Sequence, residues 1–334
     1  MKRYLLLIIC AFLCIGLLGC ATAEVAEVPS SVVPSGSIPP ASAPPASVPV
    51  YKPYIVYSPY AINQYTLKNL GDEYSLYCKL VDSVLQYNPS VSGFESEHQF
   101  HKLWCIMREE FPPAQMLCAN FKNTDTPYAY ADGTVKLQFL HQKDGHMRIL
   151  KTYAQCIQND LSLLTEEDTE MEKIAKIYKR VSEVMRYEKS SMELYDCIVK
   201  KQGVCDKYAR YMMILLNQLN VECYYAYSDG EGVVNHAWVV AKMNDQFYHF
   251  DPTWEQSFEN WFWFAIDDKL RKDSLVTEWQ TVYGMGGNLD AINGDHVQIG
   301  SLNFILTSQK IPLPVCPEAY KGTDRKYGMD PWLW

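Results

Sequence analysis

The stretch from residue 203 to 254 constrains this chain more than any other. It reads GVCDKYARYMMILLNQLNVECYYAYSDGEGVVNHAWVVAKMNDQFYHFDPTW. Apolar residues first recur at helical spacing, as Tyr208, Met212, Leu215, Leu216 and Leu219. They then run almost continuously over 233–243 and again over 246–251, with Asn244-Asp245 between as a two-residue turn. The first pattern predicts a helix with one apolar stripe and the second a hairpin.

The same order carries chemistry. Cys205 falls in the first turn of the helix, after Gly203, whose lack of a side chain allows a tight approach to the helix. A helix N-terminus carries partial positive charge and unpaired N–H groups, both of which favour thiolate over thiol. His236 lies on the first strand and Asp251 ends the second. If Met243 pairs with Gln246, Asp251 sits opposite Trp238, and His236 becomes its diagonal neighbour on the same face. Diagonal neighbours stand about 7–8 Å apart at the backbone, which long side chains span. Asp251 can then orient one imidazole nitrogen while the other faces Cys205, the logic of a nucleophile, a base and an orienter.

The backbone N–H of Cys205 is one oxyanion donor, and Gln202 is a candidate for a second. Trp238 and Trp254 are candidate cleft walls, and His249 falls on the face of Asp251. Taken singly, each of these residue types is more commonly structural. A lone cysteine is usually a small buried residue, a lone histidine a satisfied core residue, and an aspartate before proline a turn former. Their order and placement on these elements are what point to a site.

The region from about residue 171 to 268 resembles the bacterial transglutaminase-like superfamily, relatives of the papain-type thiol enzymes. The resemblance rests on Gly203-Val204-Cys205, Tyr208-Ala209, His236-Ala237-Trp238 and the run Tyr248-His249-Phe250-Asp251-Pro252-Thr253-Trp254. It implies a papain-like α+β core with the cysteine helix packed on an antiparallel sheet. It also implies that Cys205 is the nucleophile, His236 the general base and acid, and Asp251 the orienter. The family includes transamidases, deamidases and peptidases, and the motifs do not choose among them.

The flanks assign the remaining organisation. Lys2 and Arg3 precede an apolar segment that ends Leu17-Leu18-Gly19-Cys20. This resembles the lipobox of bacterial lipoproteins, so residues 1–19 are expected to be a signal peptide and Cys20 the lipidated residue. Residues 20–60 are rich in Pro, Ser and Ala and read as an extended tether. Residues 61–165 read as a mainly helical module with a hairpin at Asp132-Gly133, 166–275 as the catalytic domain and 276–334 as an extension. Helices are expected over 67–87, 95–110 and 144–164. A capping box is expected at Thr165-Glu166-Glu167-Asp168, and a strand over 301–307.

Composition closes off other classes. The net charge is −9 and no Lys/Arg-rich run occurs, which argues against nucleic acid. The eleven cysteines contain no CxxC pair, so no structural zinc site is expected. The chemistry requires neither metal nor organic cofactor. The expectation is a lipid-anchored, extracytoplasmic cysteine enzyme that cleaves or transfers glutamine or peptide acyl groups through a thioester, hydrolysis favoured. Its partners are a protein or peptide substrate, cell-wall peptide among them, and the membrane. The alternatives are a cross-linking transamidase and a surface binding protein that keeps the fold without turnover.

Overall fold

The structure is a computed structural model, and it describes residues 53–189, 192–228, 236–256, 261–271 and 313–321. The expected signal peptide, Cys20, most of the tether and the expected strand over 301–307 lie outside the described residues.

The first half begins with α1 (Gln64–Leu70), a short 3-10 turn (Gly71–Glu73) and α2 (Tyr74–Leu85). One helix is expected here. Gly71, at φ 51°, ends α1 in a conformation that suits glycine, and the chain restarts as α2. After β1 (Ser90–Ser92) comes α3 (Glu97–Glu110), capped by the Ser96 hydroxyl, which accepts the Gln99 N–H at 3.2 Å. Helix α3 stops before Pro112-Pro113 as expected, and Pro113 then opens the short α4 (Pro113–Leu117). The hairpin of β2 (Tyr128–Ala131) and β3 (Thr134–Leu137) turns at Asp132 and Gly133, both at positive φ, the two-residue turn that its sequence signals. Strand β1 adds to β3, giving the antiparallel order β1-β3-β2. Three residues are too few for alternation to reveal β1 in the sequence.

Helix α5 (Lys143–Leu161) links this half to the next. Its Tyr153, Ile157 and Leu161 enter the core that surrounds the cysteine helix. Its buried Asp160 accepts bonds from Arg180 Nε and Lys201 Nζ, both at 2.7 Å, and from the Tyr211 hydroxyl. One carboxylate thus ties α5 to three other segments.

The second half starts with α6 (Glu170–Val184). Its capping box is Thr169 with Glu172, four residues beyond the expected one. Both segments fit the same Thr-x-x-acid pattern. Asp168 does accept the Thr165 N–H at 2.8 Å, but it also binds Lys176, and the helix begins only after Thr169. Strand β4 (Arg186–Tyr187) runs parallel to β5 (Gln202–Gly203), with α7 (Leu194–Lys200) between them in sequence. Then follow α8 (Cys205–Asn217), β6 (Cys223–Ser228), β7 (His236–Met243), β8 (Gln246–Phe250) and α9 (Pro252–Glu255).

The last three strands form an antiparallel sheet in the order β6-β7-β8. Tyr208, Met212, Leu215 and Leu216 of α8 share one buried core with Ala237, Val239, Ala241 and Met243 of β7. Trp238 and Val240 alternate with these and pack with Ala226 and Cys316 in a smaller cluster on the other face. The fold is therefore α+β, with the cysteine helix packed on an antiparallel sheet. Among the described residues, no helix is long and apolar enough to cross a membrane.

Candidate active site

Cys205 is the first residue of α8, and its N-cap Val204 makes no side-chain capping bond. The helix end is thus left to polarise the thiol. Burial pushes the Cys205 thiol up. A hydrogen bond from His236, its charge, and N–H groups of Ala237 and Asp206 outweigh burial and hold the thiol below its ordinary range. The neighbouring carboxylate of Asp206 is neutralised elsewhere. It accepts Arg210 Nε at 2.7 Å, Lys207 Nζ at 2.8 Å and the Tyr225 hydroxyl at 2.9 Å. Arg210 also reaches Glu109 of α3 at 2.5 Å, so the first half of the chain is tied to the first turns of the cysteine helix.

The β7–β8 register brings the other two residues together. Met243 pairs with Gln246 across Asn244 and Asp245, both at positive φ, and the pairing runs to Val239 with Phe250. That register puts Asp251 level with Trp238 and diagonal to His236. His236 Nε2 lies 2.7 Å from Asp251 Oδ2. Nδ1 is then the nitrogen left for Cys205. Burial disfavours the imidazolium of His236, but the Asp251 charge and hydrogen bond, with that to Cys205, leave its ionisation raised. Asp251 is fully buried. Its Oδ1 caps α9 by accepting the N–H groups of Thr253 at 3.2 Å and Trp254 at 3.1 Å. Burial favours the neutral acid, and the His236 and Arg271 charges more than reverse that and hold the carboxyl below its ordinary range.

Three residues near the site carry no sequence signal. Arg271, 2% exposed, donates from Nη1 to Asp251 Oδ2 at 2.8 Å. Asp268 accepts from His249 Nε2 at 2.9 Å. Tyr178 of α6 donates to the Asp251 carbonyl at 3.2 Å and to Glu255 at 2.8 Å, holding the turn after β8 from behind.

The sequence candidates for a cleft fall into different places. Gln202 sits on β5, three residues before Cys205. Its amide oxygen accepts Arg186 Nη2 at 2.7 Å and its Nε2 lies 3.5 Å from the Met192 sulfur. Trp238 is buried at 4% exposure and stacks beside His236, so it supports the imidazole rather than lining an open cleft. Trp254 is half-buried, with its ring 4.4 Å from the imidazole and nearly parallel to it.

His249, Asp268 and Cys316 come within 4.8 Å of one another and have the donor types of a transition-metal site. Trp238 Nε1, which can only donate, points at His249 Nδ1 at 2.9 Å. The His249 proton therefore sits on Nε2 and faces Asp268. While that bond stands, Nε2 offers no lone pair to a metal.

The sulfur, imidazole and carboxylate thus form one hydrogen-bonded line, able to hold a thiolate–imidazolium pair and to return a proton from Nδ1. Residues 160–252 match a family model, Transglutaminase-like superfamily. The matched span contains Cys205, His236 and Asp251. Among solved structures, the chain is similar to "a Putative Cysteine Protease from Cytophaga hutchinsonii", at 17% identity and a TM-score of 0.24. That alignment covers 36% of this chain and half of the other. No curated protein matches the chain. The match makes residues 160–252 similar to transglutaminase-like domains.

Proposed function

We propose that this chain is a cysteine enzyme in which Cys205, His236 and Asp251 cleave or transfer amide acyl groups through a thioester. The observation that carries the proposal is the line from Cys205 through His236 to the buried Asp251, with 2.7 Å between His236 Nε2 and Asp251 Oδ2. The thiolate attacks an amide carbonyl and forms the C–S bond. The C–N bond breaks as His236 passes the Nδ1 proton to the leaving ammonia or amine. Water or a second amine, deprotonated by His236, then resolves the thioester. The N–H of Cys205 is one oxyanion donor in this reading, and Gln202 is a candidate for a second once its Nε2 leaves the Met192 sulfur.

Hydrolysis is the favoured outcome. Amine transfer needs a site that binds the amine and excludes water. Trp238 and Trp254, the side chains best suited to wall such a site, are instead packed against His236 and Arg271. Export and lipid anchoring at Cys20 complete the proposal, supported by the Leu17-Leu18-Gly19-Cys20 end of the apolar segment. The substrate is then a protein or peptide outside the cytoplasm.

The test uses glutamine peptides with a labelled amine at millimolar concentration. Released ammonia, cleaved backbone and incorporated label are read together. Hydrolysis exceeding incorporation, both lost in Cys205→Ala, is expected. Incorporation exceeding hydrolysis reassigns the chain as a cross-linking transamidase, and activity surviving in Cys205→Ala refutes the thioester. Labelled fatty acid should enter the wild type and not Cys20→Ser.

A further inference from the structure

Asp251 Oδ2 is shared. His236 Nε2 stands 2.7 Å from it on one side and Arg271 Nη1 2.8 Å on the other. Oδ1 is occupied by the two backbone N–H groups of α9. The same two indoles flank both partners of Oδ2. The Arg271 guanidinium carbon lies 4.2 Å from the Trp238 ring centre and 4.4 Å from that of Trp254, with Trp263 at 5.6 Å. Trp254 also lies 4.4 Å from the His236 imidazole. An aromatic pocket thus fixes a permanent cation against the carboxylate that orients the base.

Two consequences follow from charge alone. A buried carboxylate facing only an imidazole can exist as Asp⁻ with His⁺ or as neutral acid with neutral base. A guanidinium on the same oxygen removes the second form, because it cannot give up its proton. It also offsets part of the carboxylate charge that would otherwise hold the imidazolium proton. The base must take that proton as thiolate forms and return it as the amine leaves, so an imidazolium held too strongly is a poor acid.

We propose that Arg271 is a positioning residue of this triad: it keeps Asp251 ionised and shares its charge, so that His236 can still release its proton. This rests on the reading of Cys205 and His236 as nucleophile and base. Among the described residues, the groups facing the imidazole and the carboxylate are Cys205 of α8 and Arg271. One layer out stand His249 of β8, Asp268, Glu255 of α9 and Tyr178 of α6. Of these, only Arg271 places a fixed positive charge on the triad carboxylate. Its charge lowers the proton affinity of His236.

The experiment is the pH profile of Cys205 alkylation by an uncharged haloacetamide in the full chain, compared among wild type, Arg271→Gln and Arg271→Lys. The alkaline limb reports loss of the His236 proton. In Arg271→Gln it should move up by about one pH unit, a tenfold change in proton affinity. In Arg271→Lys, which keeps the charge, it should stay near the wild-type position. An unmoved limb in Arg271→Gln, or equal movement in both variants, overturns the proposal and leaves Arg271 a packing residue. If Arg271→Gln does not fold, wild-type NMR decides. The Arg271 side-chain N–H signals should shift with the same midpoint as the His236 ring, and independent titration overturns the proposal. Alkylation needs no substrate, so this test can fail while the acyl-transfer reading stands; that reading fails separately, on Cys205→Ala.

Discussion

His236 Nε2 and Asp251 Oδ2 meet at 2.7 Å because the fourteen residues of chain between them run through a hairpin with a fixed register. Met243 pairs with Gln246, and every pair beyond follows. Side chains alternate with period two, so a one-residue slip would turn Asp251 to the opposite face. A glycine inserted between Asn244 and Asp245 should therefore abolish low-pH labelling of Cys205 while leaving α8 folded. Mass-spectrometric labelling together with far-UV circular dichroism reads both. Labelling that survives the insertion would separate the site from the hairpin.

The same turn can be strengthened. Asn244 and Asp245 both hold positive φ, and the Asp245 side chain is 96% exposed, its pairing with Lys242 open to solvent. Asn-Gly is the dipeptide best suited to this turn. Asp245→Gly should raise stability by roughly half a kcal/mol, since the exposed ion pair lost is worth little. Urea denaturation checks it, and a fall in midpoint contradicts it.

The hairpin was legible because its signals are local: two apolar runs, a two-residue turn, and His236 and Asp251 at fixed offsets from it. Cys205 was legible from its place before an apolar stripe. Arg271 was not. It lies twenty residues beyond Asp251, in the sequence Asp267-Asp268-Lys269-Leu270-Arg271, where no spacing ties it to the triad residues. Only the chain path through Trp261, Trp263 and Phe264, folded back on β8 by the pairing of His249 with Ile266, carries that arginine under the sheet. The capping box shows another limit. Thr165 and Thr169 each precede an acid by three residues, and sequence cannot rank them without knowing that Asp168 is claimed by Lys176.

Asp251 should stabilise the fold as well as hold His236, since its Oδ2 meets both His236 and Arg271. Its removal leaves Arg271 buried among three indoles without the carboxylate. Breaking one side of a buried ion pair costs about 3–5 kcal/mol. Asp251→Asn should lose stability on that scale and slow turnover by a factor on the order of 10²–10⁴, the range typical of lost acid–base function. Asp251→Asn with Arg271→Gln should recover most of the stability and none of the turnover. Chemical denaturation of the single and double variants distinguishes this from an Asp251 that only orients, which predicts no recovery.

The pH dependence follows from the directions of the two ionisations. His236 is raised in the folded chain, so it stabilises the fold fully below about 6.5, the unfolded imidazole value. That contribution is lost as pH rises through the folded value. Cys205 is lowered, so its contribution is full above the ordinary thiol value and lost as pH falls through the folded one. Both directions favour the thiolate–imidazolium pair over the neutral thiol and imidazole. Cys205 should alkylate faster near pH 7 than the other described cysteines whose thiols burial raises, such as Cys105 and Cys197, both pushed up to about 11. His236→Gln should remove that advantage. Equal rates at all three cysteines in the wild type would count against a primed thiol.

Gly203 tests how finely the first turn of α8 is held. A Cβ at this position would lie 2.7 Å from Lys207 Cβ and 2.9 Å from Lys207 Cγ. Those atoms are the root of the Lys207 side chain, fixed to the helix, so either β5 or the first turn must move. Overpacking of this kind costs about 1–3 kcal/mol. The displaced turn carries Cys205 and the Asp206 N–H that bonds its sulfur, and Lys207 Nζ holds the Asp206 carboxylate at 2.8 Å. Gly203→Ala should therefore lower both the urea midpoint and the rate of Cys205 alkylation near pH 7. Adding Lys207→Gly removes the clashing atoms. It should restore the alkylation rate even though glycine within the helix itself costs about 1 kcal/mol. A rate restored without stability would assign the loss to displacement of the thiol. A rate unchanged in Gly203→Ala would show that the first turn tolerates the shift and that the tight approach at Gly203 does not set the thiol.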